Sequence, residues 1–81
     1  MLFRSSAVIV DPPATGLSKV ILETLIENQP THLIYVSCNP ATLARDLATL
    51  KTSFRIDSIT PLDMFPQTAE LEVVAELSRA V

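Results

Sequence analysis

Cys38, the only cysteine, closes the run Leu33-Ile34-Tyr35-Val36-Ser37 and is followed at once by Asn39-Pro40. Asn is a good helix N-cap, and Pro is favoured at the first helical position. The sulfur therefore stands between the carboxyl end of a strand and a helix N-terminus, on the edge where open α/β sheets bind ligands. The helix dipole and its free N–H groups favour a thiolate there, and a thiolate is a nucleophile. An inert buried thiol fits the same local pattern, because free Cys is among the most buried residue types. Asp11 ends a second apolar run, Ser6 to Val10, at an equivalent strand end facing the same crevice. Glu72, near the start of the last apolar stretch, is either a carboxylate approaching that crevice from the final loop or an exposed strand residue. His32 has no second ligand at a metal-like spacing, and reads as a surface residue at a strand start.

The elements that must position these groups follow from pattern. Pro12-Pro13 halts the first strand, since neither residue donates an N–H, and Gly16 permits a tight turn. From about Leu17 to Glu27, Leu17, Val20, Ile21 and Leu25 recur at helical spacing, with Leu22 and Ile26 widening the stripe and Lys19, Glu23 and Glu27 on the wet side. Asn28-Gln29-Pro30 ends that helix. The run Leu33 to Val36 suits a parallel strand covered on both faces. A second helix runs from Pro40 to about Leu50 on Leu43, Leu47 and Leu50, with Ala44 and Ala48 permitting close approach to the sheet. Arg45 and Asp46 fall on or beside its solvated face; the alternative, that they brace a site, has no support from spacing alone.

Phe54 to Ile59 begins with the alternation of a half-buried or edge strand. Residues 60–68 are expected to form a loop with two prolines, in which Met64 and Phe65 read either as packing anchors, the commoner role of an aromatic in a loop, or as ligand contacts. Leu71 to Leu77 makes a last, antiparallel strand. The order β-α-β-α-β-β predicts an α/β fold: half of a doubly wound, Rossmann-like sheet, with a parallel core built by two right-handed crossovers and an antiparallel last strand.

Composition sets outer bounds. With 81 residues there is one domain at most, and a chain this small buries only about 60% of the surface it exposes when unfolded. Apolar residues make up 48%, which supports a real core and excludes a disordered chain. No apolar run reaches the roughly 18 residues of a membrane-spanning helix, and the N-terminus is not patterned as a signal peptide. A single cysteine allows no internal disulfide and fits a reducing, cytoplasmic setting. A net charge of −3 has the wrong sign for a free-standing nucleic-acid binder, so if RNA or DNA is involved, the basic surface lies elsewhere.

Three ordered motifs carry a resemblance. They are Asp11-Pro12-Pro13 with Gly16-Leu17; Tyr35-Val36-Ser37-Cys38-Asn39-Pro40 with Thr42-Leu43-Ala44-Arg45-Asp46-Leu47; and Asp63-Met64-Phe65-Pro66-Gln67-Thr68 with Glu72. From Val8 onward the chain resembles the C-terminal half of the SAM-dependent RNA 5-methyluridine methyltransferases. The resemblance implies Cys38 as the nucleophile that adds to carbon 6 of uracil, Glu72 as the general base at carbon 5, and Asp11 as a residue that holds the target base. It implies S-adenosyl-L-methionine as cofactor and RNA, rRNA or tRNA, as partner. Two positions depart from the family pattern: Ala14 stands where Arg is usual after Asp-Pro-Pro, and Glu70 where His is usual two residues before the base. A second carboxylate at Glu70 is expected to raise the pKa of Glu72.

The family's Gly-rich SAM turn and RNA-binding domain, and the iron–sulfur cluster of some relatives, are not in these residues. Residues 1–81 therefore look like the last part of a larger catalytic domain or a truncated copy, inactive alone. The competing expectation is a non-catalytic module that self-associates through the bare edge of its first strand.

Overall fold

The computed structural model describes residues 6–62 and 72–80. The elements run β1 (Ala7–Val10), α1 (Lys19–Asn28), β2 (His32–Ser37), α2 (Pro40–Leu50), β3 (Phe54–Leu62) and β4 (Glu72–Arg79), the order expected from pattern. Both helices begin with a side-chain cap. Ser18 accepts the Ile21 N–H, and Leu17 before it and Leu22 after it occupy the positions of a hydrophobic staple. Asn39 accepts the Ala41 N–H, and Pro40 takes the first helical position. Gln29, at φ 45°, closes α1 in the left-handed conformation, its N–H donating to the Leu25 carbonyl.

One mixed sheet is formed, in the order β1-β2-β4-β3. β1 and β2 pair in parallel, Val10 opposite Tyr35. β4 lies antiparallel between β2 and β3, so the expected parallel core shrinks to one pair. Composition explains the insertion. β4 carries Val73, Ala75 and Leu77, which are buried, and belongs in the middle; β3 carries Pro61, which has no N–H and suits an edge. Because Pro61 sits on an edge, β3 also continues through Leu62, where a loop had been expected from residue 60. A register shift between Ile56 and Ser58 leaves Asp57 as the extra residue of a bulge. Met64, Phe65 and Glu70 lie outside the described residues.

One core unites the layers. Leu33 and Tyr35 from β2, Val73, Ala75 and Leu77 from β4, and Phe54 from β3 pack with Leu17, Leu25, Leu43, Leu47 and Leu50. Each such large side chain, fully buried, contributes about 1.5–3 kcal/mol. These strand residues share one parity, so both helices lie on one face of the sheet. On the other face Ile34 and Val36 are half-buried and Ile9 is 68% exposed, so β2 is covered on one side among the described residues, where cover on both had been expected.

Two further expectations fail in detail. Leu22, Leu25 and Ile26 face the core, whereas Val20 (70% exposed) and Ile21 point away from it. Leu17 joins the core from before the cap, so the helix proper is set by the 22/25/26 stripe. In α2, Leu43, Leu47 and Leu50 are buried as expected, but Ala44 and Ala48 are exposed and the fully buried fourth member of the stripe is Asp46. No helix among the described residues is long and apolar enough to cross a membrane.

Candidate active site

Asp11 follows β1 directly, Cys38 follows β2, and Glu72 opens β4. Because β4 runs antiparallel to β1 and β2, its start shares a sheet edge with their ends. Ser37 pairs with Val73, and one step further along that register lie Cys38 on one strand and Glu72 on the other. Asp11, Cys38 and Glu72 therefore occupy three neighbouring strands, in that order, on one edge, and all three are exposed. The exposure of Cys38 removes the buried-thiol reading.

Local bonds set how Cys38 is presented. The buried Ser37 hydroxyl donates to the Asn39 carbonyl (2.9 Å) and accepts the Asn39 N–H (3.0 Å), so one side chain spans the cysteine and fixes the bend into α2. The turn after Asp11 is closed by the Gly16 N–H donating to Pro13 O (2.8 Å). Its outward carbonyls are taken up by α2: Asn39 Nδ2 and Thr42 Oγ1 both donate to Ala14 O (3.0 Å each), and Arg45 Nη2 donates to Thr15 O (2.8 Å).

Beneath them lies Asp46, with no solvent exposure. Its Oδ2 accepts the Leu17 N–H (2.8 Å) and the Tyr35 hydroxyl (2.5 Å). Its Oδ1 accepts from Arg45 Nη2 (3.1 Å) and Nε (3.3 Å). Burial, and then the bond to Asp46 and its negative charge, push the Tyr35 phenol well above its usual range. The placement of Asp46 on a solvated face is thus overturned: Arg45 is exposed, Asp46 is not. The sequence carried a signal for this, since residue 46 is three after Leu43 and four before Leu50 and so must share their face.

A cavity of about 660 Å³ opens on the Asp11 side, lined by Val10, Asp11, Pro12, Pro13 and Ile21 among others, with Arg45 the one basic residue of its lining among the described residues. Cys38 and Glu72 do not line it. His32 is an exposed residue at the start of β2, as expected, and no metal-binding group of three His, Cys, Asp or Glu occurs among the described residues. On the helix-free face, Asp57 accepts from the Ser78 hydroxyl and from Arg55 Nε (2.8 Å); Ser78 first, then Arg55, hold its carboxyl below the usual carboxylate range.

A mixed α/β sheet with a thiol and two carboxylates on one edge agrees with what the chain is similar to, a class of RNA methyltransferases. It is 51% identical over 77 residues to an uncharacterized RNA methyltransferase of Listeria innocua and 47% identical over 77 residues to one of Enterococcus faecalis. Each match takes in 95% of this chain, which spans 17% of the length of these curated relatives. The crystal structure of the Pyrococcus abyssi tRNA (uracil-54, C5)-methyltransferase in complex with S-adenosyl-L-homocysteine superposes on 89% of the chain with a TM-score of 0.79 and 49% identity; the match takes in 18% of that protein. The family profile of the tRNA (uracil-5-)-methyltransferases matches residues 2–80, and the chain belongs to that family.

Proposed function

We propose that this chain provides the nucleophile edge of an RNA uracil-5 methyltransferase, with tRNA or rRNA as substrate, and that it acts as part of a larger catalytic domain. What supports the reading is the single edge on which β1, β2 and β4 bring Asp11, Cys38 and Glu72, with the sulfur exposed. Among the described residues the second face of the sheet carries no helix, as half of a doubly wound sheet would.

The chemistry answers a defect of the substrate. Carbon 5 of uracil is a poor nucleophile. The Cys38 thiolate adds to carbon 6, forming the S–C6 bond, and the C5=C6 electron pair moves into an enolate across carbon 5 and the carbon-4 carbonyl. Carbon 5 then has an electron pair to bond a methyl group. The Glu72 carboxylate removes the proton left at carbon 5; the freed pair re-forms C5=C6 as the S–C6 bond breaks and the thiolate departs. Asp11 accepts a hydrogen bond from the uracil N–H, on a turn whose prolines fix its direction. To reach this edge the base must leave its stack.

S-adenosyl-L-methionine supplies an electrophilic methyl when bound to such an enzyme. The described residues do not fit it by themselves: Gly16 is the only glycine, there is no Gly-rich turn, and the cavity at Asp11 is largely apolar. Its site is therefore not assigned to these side chains.

The test is covalent trapping. Residues 2–80 replace the matching segment of the Pyrococcus abyssi enzyme, and the chimera is mixed with 5-fluorouridine-containing tRNA and S-adenosyl-L-methionine. Fluorine at carbon 5 blocks the final elimination, so a denaturation-resistant protein–RNA adduct accumulates. It should be absent in Cys38→Ser. An adduct that persists in Cys38→Ser rejects the nucleophile assignment, and so does its absence from the unsubstituted chimera.

A second reading, a self-associating module without catalysis, is favoured by one observation: β1 is an edge strand with Ile9 exposed, and Val20 and Ile21 of α1 are exposed as well. Sedimentation of the isolated chain at high concentration should then show dimers or larger species, returned to monomer by Ile9→Lys with Val20→Lys. A monomer at all concentrations rejects that reading.

A further inference from the structure

Resting on the methyl-transfer reading, we infer that Asp46 is a positioning residue for the reaction, holding the Asp11 turn at a set distance from Cys38 through a bracket it forms with Tyr35, Arg45 and the Leu17 N–H. Nothing in the overall reaction calls for a third carboxylate here, yet this is the one charged side chain among the described residues that the fold buries completely.

The cost of that burial is the first argument. An ion taken out of water loses its hydration, a loss recovered only with good geometry and satisfied lone pairs. Asp46 meets the condition with four donors: Tyr35 Oη, Leu17 N, Arg45 Nη2 and Arg45 Nε. An apolar residue would fill the same stripe position between Leu43 and Leu50 without a hydration loss. A charge retained there gives direction, which an apolar contact cannot.

The second argument is what the donors belong to. Tyr35 is on the strand that delivers Cys38; Asp46 and Arg45 are on the helix that begins straight after it; Leu17 ends the turn that follows Asp11. The same helix holds the rest of that turn through Asn39 and Thr42 on Ala14 O and Arg45 on Thr15 O. Among the described residues, the side-chain hydrogen bonds anchoring residues 14–17 therefore come from residues 39–46, the cap and first two turns of the helix after Cys38. Nucleophile and base-holding turn are mounted on one rigid piece.

The third is the fit at Gly16. Its φ is +83°, and a Cβ there would stand 2.6 Å from Arg45 Nη2 and 2.7 Å from Asp46 Oδ2. The turn lies directly on the bracket with no room for a methyl group, so a shift of the carboxylate is a shift of the turn. Placement of reacting groups within about 1 Å is worth up to about 100-fold in rate.

Single-turnover trapping in the chimera tests this, because it separates rate from folded fraction. Loss of folded protein lowers the amount of adduct formed; misplacement lowers its rate constant. Asp46→Asn keeps the shape but turns an amide NH2 toward a donor, and Asp46→Leu keeps the volume without the charge. Both should reduce the rate constant about 10- to 100-fold, with the tRNA dissociation constant within about twofold of the unsubstituted chimera. Arg45→Met, at a side chain 58% exposed, leaves no buried vacancy, and should reduce the rate constant several-fold even where the Asp46 variants fail to fold. Rate constants unchanged in the folded variants, with only the amplitude reduced, would overturn the bracket and leave Asp46 a packing residue. An unsubstituted chimera without adduct instead rejects the methyl-transfer reading itself, and the inference with it.

Discussion

Replacing Tyr35 by Phe keeps the buried ring and removes one atom from the bracket. Tyr35 is fully buried, and its hydroxyl lies 2.5 Å from Asp46 Oδ2. A hydrogen bond to a charged acceptor contributes about 1.5–3 kcal/mol. Tyr35→Phe does not orphan the carboxylate, because Leu17 N–H remains on Oδ2 and Arg45 on Oδ1. The loss should therefore equal one charge-assisted bond, about 2 kcal/mol. In a domain of this size, where each kcal/mol moves the midpoint by about 4–8 °C, Tm should fall by about 8–16 °C.

Asp46→Ala should cost more, about 3–5 kcal/mol, since it strands the Tyr35 hydroxyl and the Leu17 N–H in the interior. Tyr35 is the only tyrosine and there is no tryptophan, so alkaline absorbance titration reads this phenol alone. Its folded pKa is raised, by burial first and then by Asp46. The stability tied to the neutral phenol is full below the ordinary value of about 10 and is lost as pH rises through the raised one. Phenolate should appear only together with loss of the far-ultraviolet circular dichroism. A phenolate forming with a midpoint near 10 in a folded chain would refute the reasoning. So would a Tyr35→Phe midpoint within about 2 °C of the parent.

Gly16→Ala should destabilise by at least the 1–2 kcal/mol or so of a left-handed non-glycine residue, and more because its methyl group meets Arg45 and Asp46; thermal melts measure the loss, and a change under about 0.5 kcal/mol would show that the turn moves freely on α2. Asp57→Asn should lower Tm at neutral pH, where the carboxylate holds Ser78 and Arg55. Because that carboxyl is depressed, its contribution is full above about 3.9 and is lost as pH falls through the lower folded value. Melts of parent and variant should therefore converge in strong acid, and a gap that widens there contradicts the assignment.

Much of this protein follows from local rules. Apolar runs and caps placed every element: Asn39-Pro40 starts α2, Gln29-Pro30 stops α1, and Asp11 and Cys38 fall at strand ends because those runs stop there. That Asp11 and Cys38 share one edge was foreseeable from order and direction; that Glu72 stands on the strand beside Cys38 required β4 to pair with β2.

What the chain could not announce was pairing across distance. β4 inserts between β2 and β3 because the competition between a Val-rich and a Pro-bearing strand for the central place is settled only when both are on the sheet. Val20 and Ile21 fit a helical stripe as well as Leu22, Leu25 and Ile26 do, and which set turns inward depends on where Leu17 enters the core.

Asp46 shows the division most clearly. Its register in the Leu43 stripe says that it is buried; its charge says that it is solvated, and only partners decide. Those partners, Tyr35, Leu17 and the turn after Asp11, are 11 and 29 residues away in sequence for the two bonds to Oδ2. Local pattern determines which face a residue takes. Only the folded chain decides whether a buried charge there finds the donors that make its burial possible.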